Sequence, residues 1–314
     1  MEKNSKIFVT GHKGLVGSAV VRELKIQGYA DIITIDKNDC NLWNQPAVAY
    51  FFSKNKPEYV INCAGKVGGI NANNTQSADF ITENIQIQTN IIQACHEFKV
   101  KKLLFLGSSC IYPKMCPQPI KEEYLLTSAL EETNIGYAIA KISGIISCRL
   151  HNKQYGDNFI SAMPTNLYGI NDNFNLMNSH VLPALIRKFH DAKINNLPSV
   201  EFWGTGSARR EFLFVDDLAQ ALVFLMNNYD NCNEHINIGC GDDVTILELA
   251  EMLKKITKYE GEIIWNSEYP DGTPVKRLDV TKINNLGWKA KTSLEAGLQI
   301  TYDWFVKNYN TIRK

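Results

Sequence analysis

The sequence predicts an α/β fold, with a doubly wound parallel sheet followed by a smaller C-terminal α/β part. Three observations carry this. Lys6-Ile7-Phe8-Val9-Thr10 is a short β run that passes at once into Gly11-His12-Lys13-Gly14-Leu15-Val16-Gly17 and then a helical pattern through Ile26. Apolar runs alternate with helical patterns throughout the first half, which implies right-handed crossovers and a parallel sheet covered on both faces. The run Leu103-Leu104-Phe105-Leu106-Gly107 ends in Ser108-Ser109-Cys110 and leads to a helix carrying Tyr137-Ala138-Ile139-Ala140-Lys141. Open α/β sheets bind ligands at the carboxyl ends of their strands, so this is where chemistry is expected.

Strand, glycine turn and helix form the context that a dinucleotide needs. Gly11 and Gly14 let the backbone approach a pyrophosphate at the helix N-terminus, beside Leu15 and Val16, and Gly17 lets the helix pack close to the strand. A second strand, Asp31 to Ile35, ends at Asp36, where an acidic side chain can accept from an adenosine ribose 2'-hydroxyl. Asp36 alone argues for NAD. Lys13 and Lys37 suit a 2'-phosphate instead, so the cofactor reading is divided. A third strand, Tyr59 to Cys63, runs into Ala64-Gly65-Lys66-Val67-Gly68-Gly69-Ile70, small residues able to lie against a cofactor, followed by a helix over about 77–98. The fourth strand is the 103–107 run, and a fifth, Asn158 to Met163, leads to Pro164-Thr165-Asn166-Leu167-Tyr168-Gly169.

After Tyr168 the alternation breaks. Asn178-Ser179-His180 is expected to cap a helix through His190, and a strand and turn are expected over Glu201-Phe202-Trp203-Gly204-Thr205-Gly206. Residues 1–168 are therefore read as a cofactor domain to which 211–240 return, and 169–314 mostly as a substrate domain. Arg209, Arg210, Lys276 and Arg277 fall in this smaller part and can clamp phosphates.

Lys plus Arg and Asp plus Glu number 33 each in 314 residues, which leaves no overall electrostatic footprint for nucleic acid or an anionic membrane. No window approaches about 18 uninterrupted apolar residues, and the N-terminus has no apolar signal region, so a cytoplasmic protein is expected. The eight cysteines are scattered with no C-x-x-C pair or nearby His spacing, and suggest neither zinc nor a disulfide framework. Tyr137 and Lys141 stand one helical turn apart on one face. An ammonium there should lower the phenol's pKa from about 10.

Taken in order, Thr10-Gly11-x-x-Gly14-x-x-Gly17, the serine after the fourth strand, Tyr137-x-x-x-Lys141 and Arg210-Glu211-Phe212-x-x-Val215-Asp216-Asp217 resemble the extended short-chain dehydrogenase/reductase superfamily. Lys66 to Ile70, Leu106 to Pro113, Met163 to Gly169, Asn178 to Val181, Leu278 to Lys282 and Ser293 to Leu298 place the chain nearest to members that epimerise and then reduce GDP-4-keto-6-deoxy-D-mannose. The resemblance runs nearly end to end. It implies NADPH as cofactor and GDP-L-fucose or a close relative as product. It also implies Tyr137 as the donor to the C4 oxygen, Lys141 as its partner and the holder of the nicotinamide ribose, and Ser108 on the same C4 oxygen. Cys110 and His180 become the base and acid that invert C3 and C5.

By the same resemblance Pro164, Asn166, Leu167 and His180 join Ala64 and Gly65 around the cofactor, while Ser109, Asn166, Lys188, Trp203, Arg210 and Lys282 join Ser108 on the substrate. No metal is implied, and members are usually homodimers packed through long helices. The chemistry suits these residue types. A C4 ketone acidifies the protons on C3 and C5, so a base can remove one and an acid return it on the other face while the enolate oxygen is held. If the chain stays extended, Cys110 points the same way as Ser108. A helix start should lower the pKa of His180. Lysines replace family arginines at 13, 37 and 188, and Asp36 replaces a neutral residue, which predicts a reduced preference for NADPH over NADH. Other readings are C4 reduction alone on a related GDP-4-keto sugar such as a heptose, an NAD-retaining nucleotide-sugar 4-epimerase or dehydratase, and a catalytically silent redox-sensing binding module on this fold, against which the complete Ser108, Tyr137 and Lys141 set argues.

Overall fold

The computed structural model of the protein describes residues 1–230, 234–269 and 271–312; Cys232 lies outside them. The central parallel sheet contains β1 (Ile7–Thr10), β2 (Ile32–Ile33), β3 (Tyr59–Asn62), β4 (Lys102–Leu106) and β5 (Phe159–Pro164). Its far edge is the later strand Ile236–Ile238. From that edge the order is Ile236–Ile238, β5, β4, β3, β1, β2, and the pairs are parallel.

The pleat sorts the core. Ile7 and Val9 point to one face, with α1 (Leu15–Ile26) and the later helix Val215–Asn228. Phe8 points to the other, with α2 (Gln45–Asn55), α4 (Ser77–Glu97) and α5 (Ile135–Tyr155), while the short α3 (Ile70–Thr75) precedes α4. Both faces are covered, so β1 and β4 are buried along their whole length rather than alternating.

Beyond β5, β6 (Asn166–Tyr168) leads through α6 (Val181–Ile194) to β7 (Ser199–Trp203), β8 (Arg209–Arg210) and β9 (Phe212–Phe214). The chain then returns to the large sheet through α7 (Val215–Asn228) and β10 (Ile236–Ile238). It leaves again through β11 (Val244–Thr245), α8 (Ile246–Thr257), β12 (Glu262–Asn266), β13 (Val275–Lys276), α9 (Thr281–Asn285) and α10 (Leu294–Asn308). β7 pairs with β12, and β8 lies between β11 and β13. A separate core of Phe174, Leu185, Phe189, Leu249, Leu253 and Phe305 holds α6, α8 and α10 together.

The expected helix over 77–98 is α4, preceded by the short α3. Two local expectations are corrected. The second strand shrinks to Ile32–Ile33 at the sheet edge, where it pairs with β1. After Ser108 the chain does not stay extended: Ser109–Ile111 is a 3₁₀ turn, capped by the Ser108 hydroxyl accepting from Cys110 N.

Candidate active site

Thr10, Asn62, Leu106 and Pro164 end four neighbouring strands at one edge of the sheet. There α1 begins with Gly14 as its cap, and no side chain accepts from its first N–H groups. That leaves Leu15, Val16 and Gly17 presenting donors at the positive end of a helix, which fits a pyrophosphate. The glycines are required sterically. Gly11 has φ +66°, and a Cβ on Gly17 would overlap the Gly11 carbonyl. Thr10 Oγ1 donates to Asn62 and accepts from Ala64 N at 2.9 Å, tying the first turn to the third. These features fit the dinucleotide that the sequence implies.

At the ribose end, Lys13 Nζ donates to Asp36 at 2.7 Å, and His12 Nε2 lies 3.4 Å away. The Lys13 hydrogen bond and charge hold the Asp36 carboxyl below its ordinary pKa. The acid that argued for NAD is thus neutralised by the lysine that argued for a phosphate. Lys37 lies over the Trp43 ring at 4.1 Å.

The reactive groups converge on the start of α5. Lys141 Nζ is 5.7 Å from the centre of the Tyr137 ring and donates to Leu106 O at 2.9 Å. A Cβ on Gly65 would stand 3.6 Å from that Nζ, so Gly65 and Lys141 share one wall. Ser108 hydrogen-bonds the Tyr137 side chain. Cys110 packs against the buried group Ala72, Phe80 and Tyr137, brought there by the 3₁₀ turn.

The expected lowering of the phenol is not what this geometry gives. Burial, then the neighbouring Cys110 thiol, push Tyr137 well above an ordinary phenol, and the Ser108 bond offsets part of this. Burial lowers Lys141 to about 8, with Cys63 opposing, so the intended donor of positive charge is itself close to losing its proton.

His180 is the N-cap residue of α6, within the expected cap Asn178-Ser179-His180. It is accessible to water yet surrounded by protein, as a residue in a cleft is, and its pKa is lowered by burial first and by Lys276 second. Lys276 was expected on phosphates. Instead its Nζ lies 3.8 Å from Cys110 Sγ, and its charge also acts on His180. Its position comes from β13 pairing with β8, 166 residues away from Cys110, and no local sequence signal reveals it. Two buried polar atoms also flank the site without a hydrogen-bond partner: Asn134 Oδ1 at the cap of α5 and Ser179 Oγ beside His180.

A second group gathers in the C-terminal part. Trp203 is exposed and stacks on Tyr269 with centres 4.4 Å apart, and Lys188 Nζ lies 5.9 Å over the same indole. Burial lowers the Lys188 pKa. Arg210 donates to Thr273 O at 2.6 Å and Thr205 N to Asp271 at 2.7 Å, so residues 271–273 connect β8 to the turn after Trp203. Asn166 donates to Glu211 O at 2.8 Å, while Pro164 and Leu167 flank it on the crossover strands.

Two expected substrate residues are not brought in. Ser109 is 4 % exposed and folded into the turn, because the 3₁₀ geometry directs it inward. Lys282 sits on α9 and bonds Glu234 and the His235 carbonyl at 3.1 Å, since its helix packs against β10.

A Ser–Tyr–Lys set and a glycine loop at the same edge of a parallel sheet are the features of an enzyme that exchanges hydride or protons beside a dinucleotide. The chain belongs to the NAD dependent epimerase/dehydratase family, whose model matches residues 7–239. Within it, the chain is 57% identical over 307 residues to GDP-L-fucose synthase 1 of Arabidopsis thaliana, covering 98% of this chain and 95% of that one. Among solved structures it is similar to a GDP-6-OMe-4-keto-L-xylo-heptose reductase from C. jejuni, with TM-score 0.93, 41% identity and coverage of 98% and 99%. It also matches a GDP-L-fucose synthetase from Naegleria fowleri bound to NADP, with TM-score 0.93, 31% identity and coverage of 100% and 96%.

Proposed function

We propose that this protein is an NADPH-dependent C3/C5 epimerase and C4 reductase of a GDP-4-keto-6-deoxy sugar, giving GDP-L-fucose or a close relative. What supports the reading is that Ser108, Cys110 and Lys141 gather around Tyr137, and that Lys276, 3.8 Å from Cys110 Sγ, also acts on His180. NADPH, held along the glycine loop at Gly11, Gly14 and Gly17, would supply the hydride that reduces C4. Tyr137 gives the C4 oxygen its proton, and Ser108 holds that oxygen while charge develops on it. Before reduction, Cys110 removes a proton from carbon, with Lys276 Nζ 3.8 Å from its sulfur. His180 returns a proton on the opposite face.

Residues 1–168 with 211–240 hold the cofactor in this reading. Lys13 turns from Asp36 to the 2'-phosphate with Lys37 beside it, so NADPH is preferred to NADH by a modest margin. Lys188, Trp203 and Arg210 receive the nucleoside diphosphate. A cytoplasmic homodimer packed through α4 and α5 belongs to the same reading; among the described residues no helix is long and apolar enough to cross a membrane.

Reduction alone is the second reading, favoured by the likeness to a heptose reductase. Turnover of GDP-4-keto-6-deoxy-mannose with NADPH in deuterated water separates the two. Deuterium at C3 and C5 of a GDP-L-fucose product is expected. Reduced product without label would overturn the epimerase half, and a higher kcat/KM with NADH would overturn the cofactor assignment.

A further inference from the structure

His96, His151 and Asp157 form a cluster that the proposed reaction does not use. His96 lies in the last turn of α4 and His151 near the end of α5, and these two helices pack along each other. Gly156 ends α5 in the left-handed conformation, φ 72°, and turns the chain so that Asp157 comes back beneath both helix ends. Asp157 Oδ2 is 2.8 Å from His96 Nδ1 and 3.2 Å from His151 Nδ1, and the three candidate ligand atoms all lie within 4.8 Å of one another. Four ligands around zinc at about 2.0–2.1 Å stand about 3.3 Å apart, so small side-chain adjustments seat an ion here.

The rings are already oriented. Tyr155 lies 4.2 Å from the His96 ring and Phe159 5.6 Å from the His151 ring, centre to centre. The three side chains are 21%, 19% and 13% exposed, which leaves a path from water and room for a water ligand. Two helix C-termini meet there, and their partial negative charge favours a cation. From Tyr137 to His151 the helix rises about 21 Å, which separates the cluster from the reactive groups.

We propose that His96, His151 and Asp157 bind one divalent transition-metal ion of the zinc class, with water completing its coordination. Binding takes both imidazoles neutral, releases any proton held on Nδ1, and ties the ends of α4 and α5 to the start of β5. The ion acts on stability and leaves the sugar chemistry untouched.

The test uses the full chain stripped with a chelator and dialysed against zinc chloride, with bound metal counted by plasma emission. One ion per chain is expected, with a thermal midpoint that rises on zinc addition. His151→Gln and Asp157→Asn should each weaken binding at least ~10-fold and abolish the rise, while NADPH-dependent turnover stays at the parental rate. Absence of stoichiometric binding by the parent would overturn the proposal. So would binding unchanged in both variants, which would place the ion on thiols such as the exposed Cys240.

Discussion

Lys141 is 5% exposed, with the Leu106 carbonyl as its hydrogen-bond acceptor. An unfolded lysine keeps its proton to about 10.5, and here burial brings the value to about 8. Below pH 8 the folded protein therefore bears the full cost of a desolvated ammonium, on the order of 3 kcal/mol. Between pH 8 and 10.5 the unfolded chain binds more protons than the native one, so this cost disappears and stability rises with pH. Lys141→Met should be more stable than the parent at pH 7, by that amount less about 1 kcal/mol for the unbonded Leu106 carbonyl. Its advantage should vanish near pH 10 in urea titrations, and turnover should be lost. Equal stability at pH 7 would show that the ammonium is not desolvated. Such a residue is kept against stability, which is what a proton-handling role requires.

At the scale of elements, the loop between β3 and α3 seats the loop that carries His180. Gly69 N donates to Asn178 O at 2.9 Å, and Asn73 Nδ2 donates to the carbonyls of Gly68 and Gly69. A Cβ on Gly69 would overlap the Ser179 carbonyl. The sequence suggested that these small residues lie against a cofactor, whereas at Gly69 the backbone that comes close is the protein's own. Gly69→Ala must displace Ser179 and His180 together. A shift of about 1 Å costs up to 100-fold in a positioned proton transfer, so deuterium incorporation at C3 and C5 should fall about tenfold or more. Affinity for NADPH, measured by fluorescence titration, should stay within about twofold if the glycine serves His180 and not the cofactor. A matching loss of both would assign Gly69 to the cofactor after all.

At the scale of the whole molecule, Glu211 joins the two parts. It is 0% exposed, and its carboxylate accepts from Gly241 N at 2.7 Å and Leu278 N at 2.9 Å. Leu278 in turn bridges to Ile120 in the segment that follows the reactive 3₁₀ turn. Glu211→Gln keeps the shape but sets an amide N–H₂ against a backbone donor, and should cost about 2–4 kcal/mol. Calorimetry should show the transition moved to lower temperature; an unmoved midpoint would mean that the parts hold together by other contacts.

Much of this was legible in the chain. The βαβ alternation, the glycine loop and Tyr137-x-x-x-Lys141 depend on contacts a few residues apart, where periodicity and backbone stereochemistry are decisive. The sequence also brought Ser108, Cys110 and His180 into one set, through resemblance. Tertiary structure decided what charge and burial do there. Lys276 reaches Cys110 through a strand pairing 166 residues away, Lys13 cancels Asp36 across two loops, and burial reverses the expected direction for Tyr137. Desolvation and long-range pairing depend on the whole fold, so no local pattern in the chain encodes them.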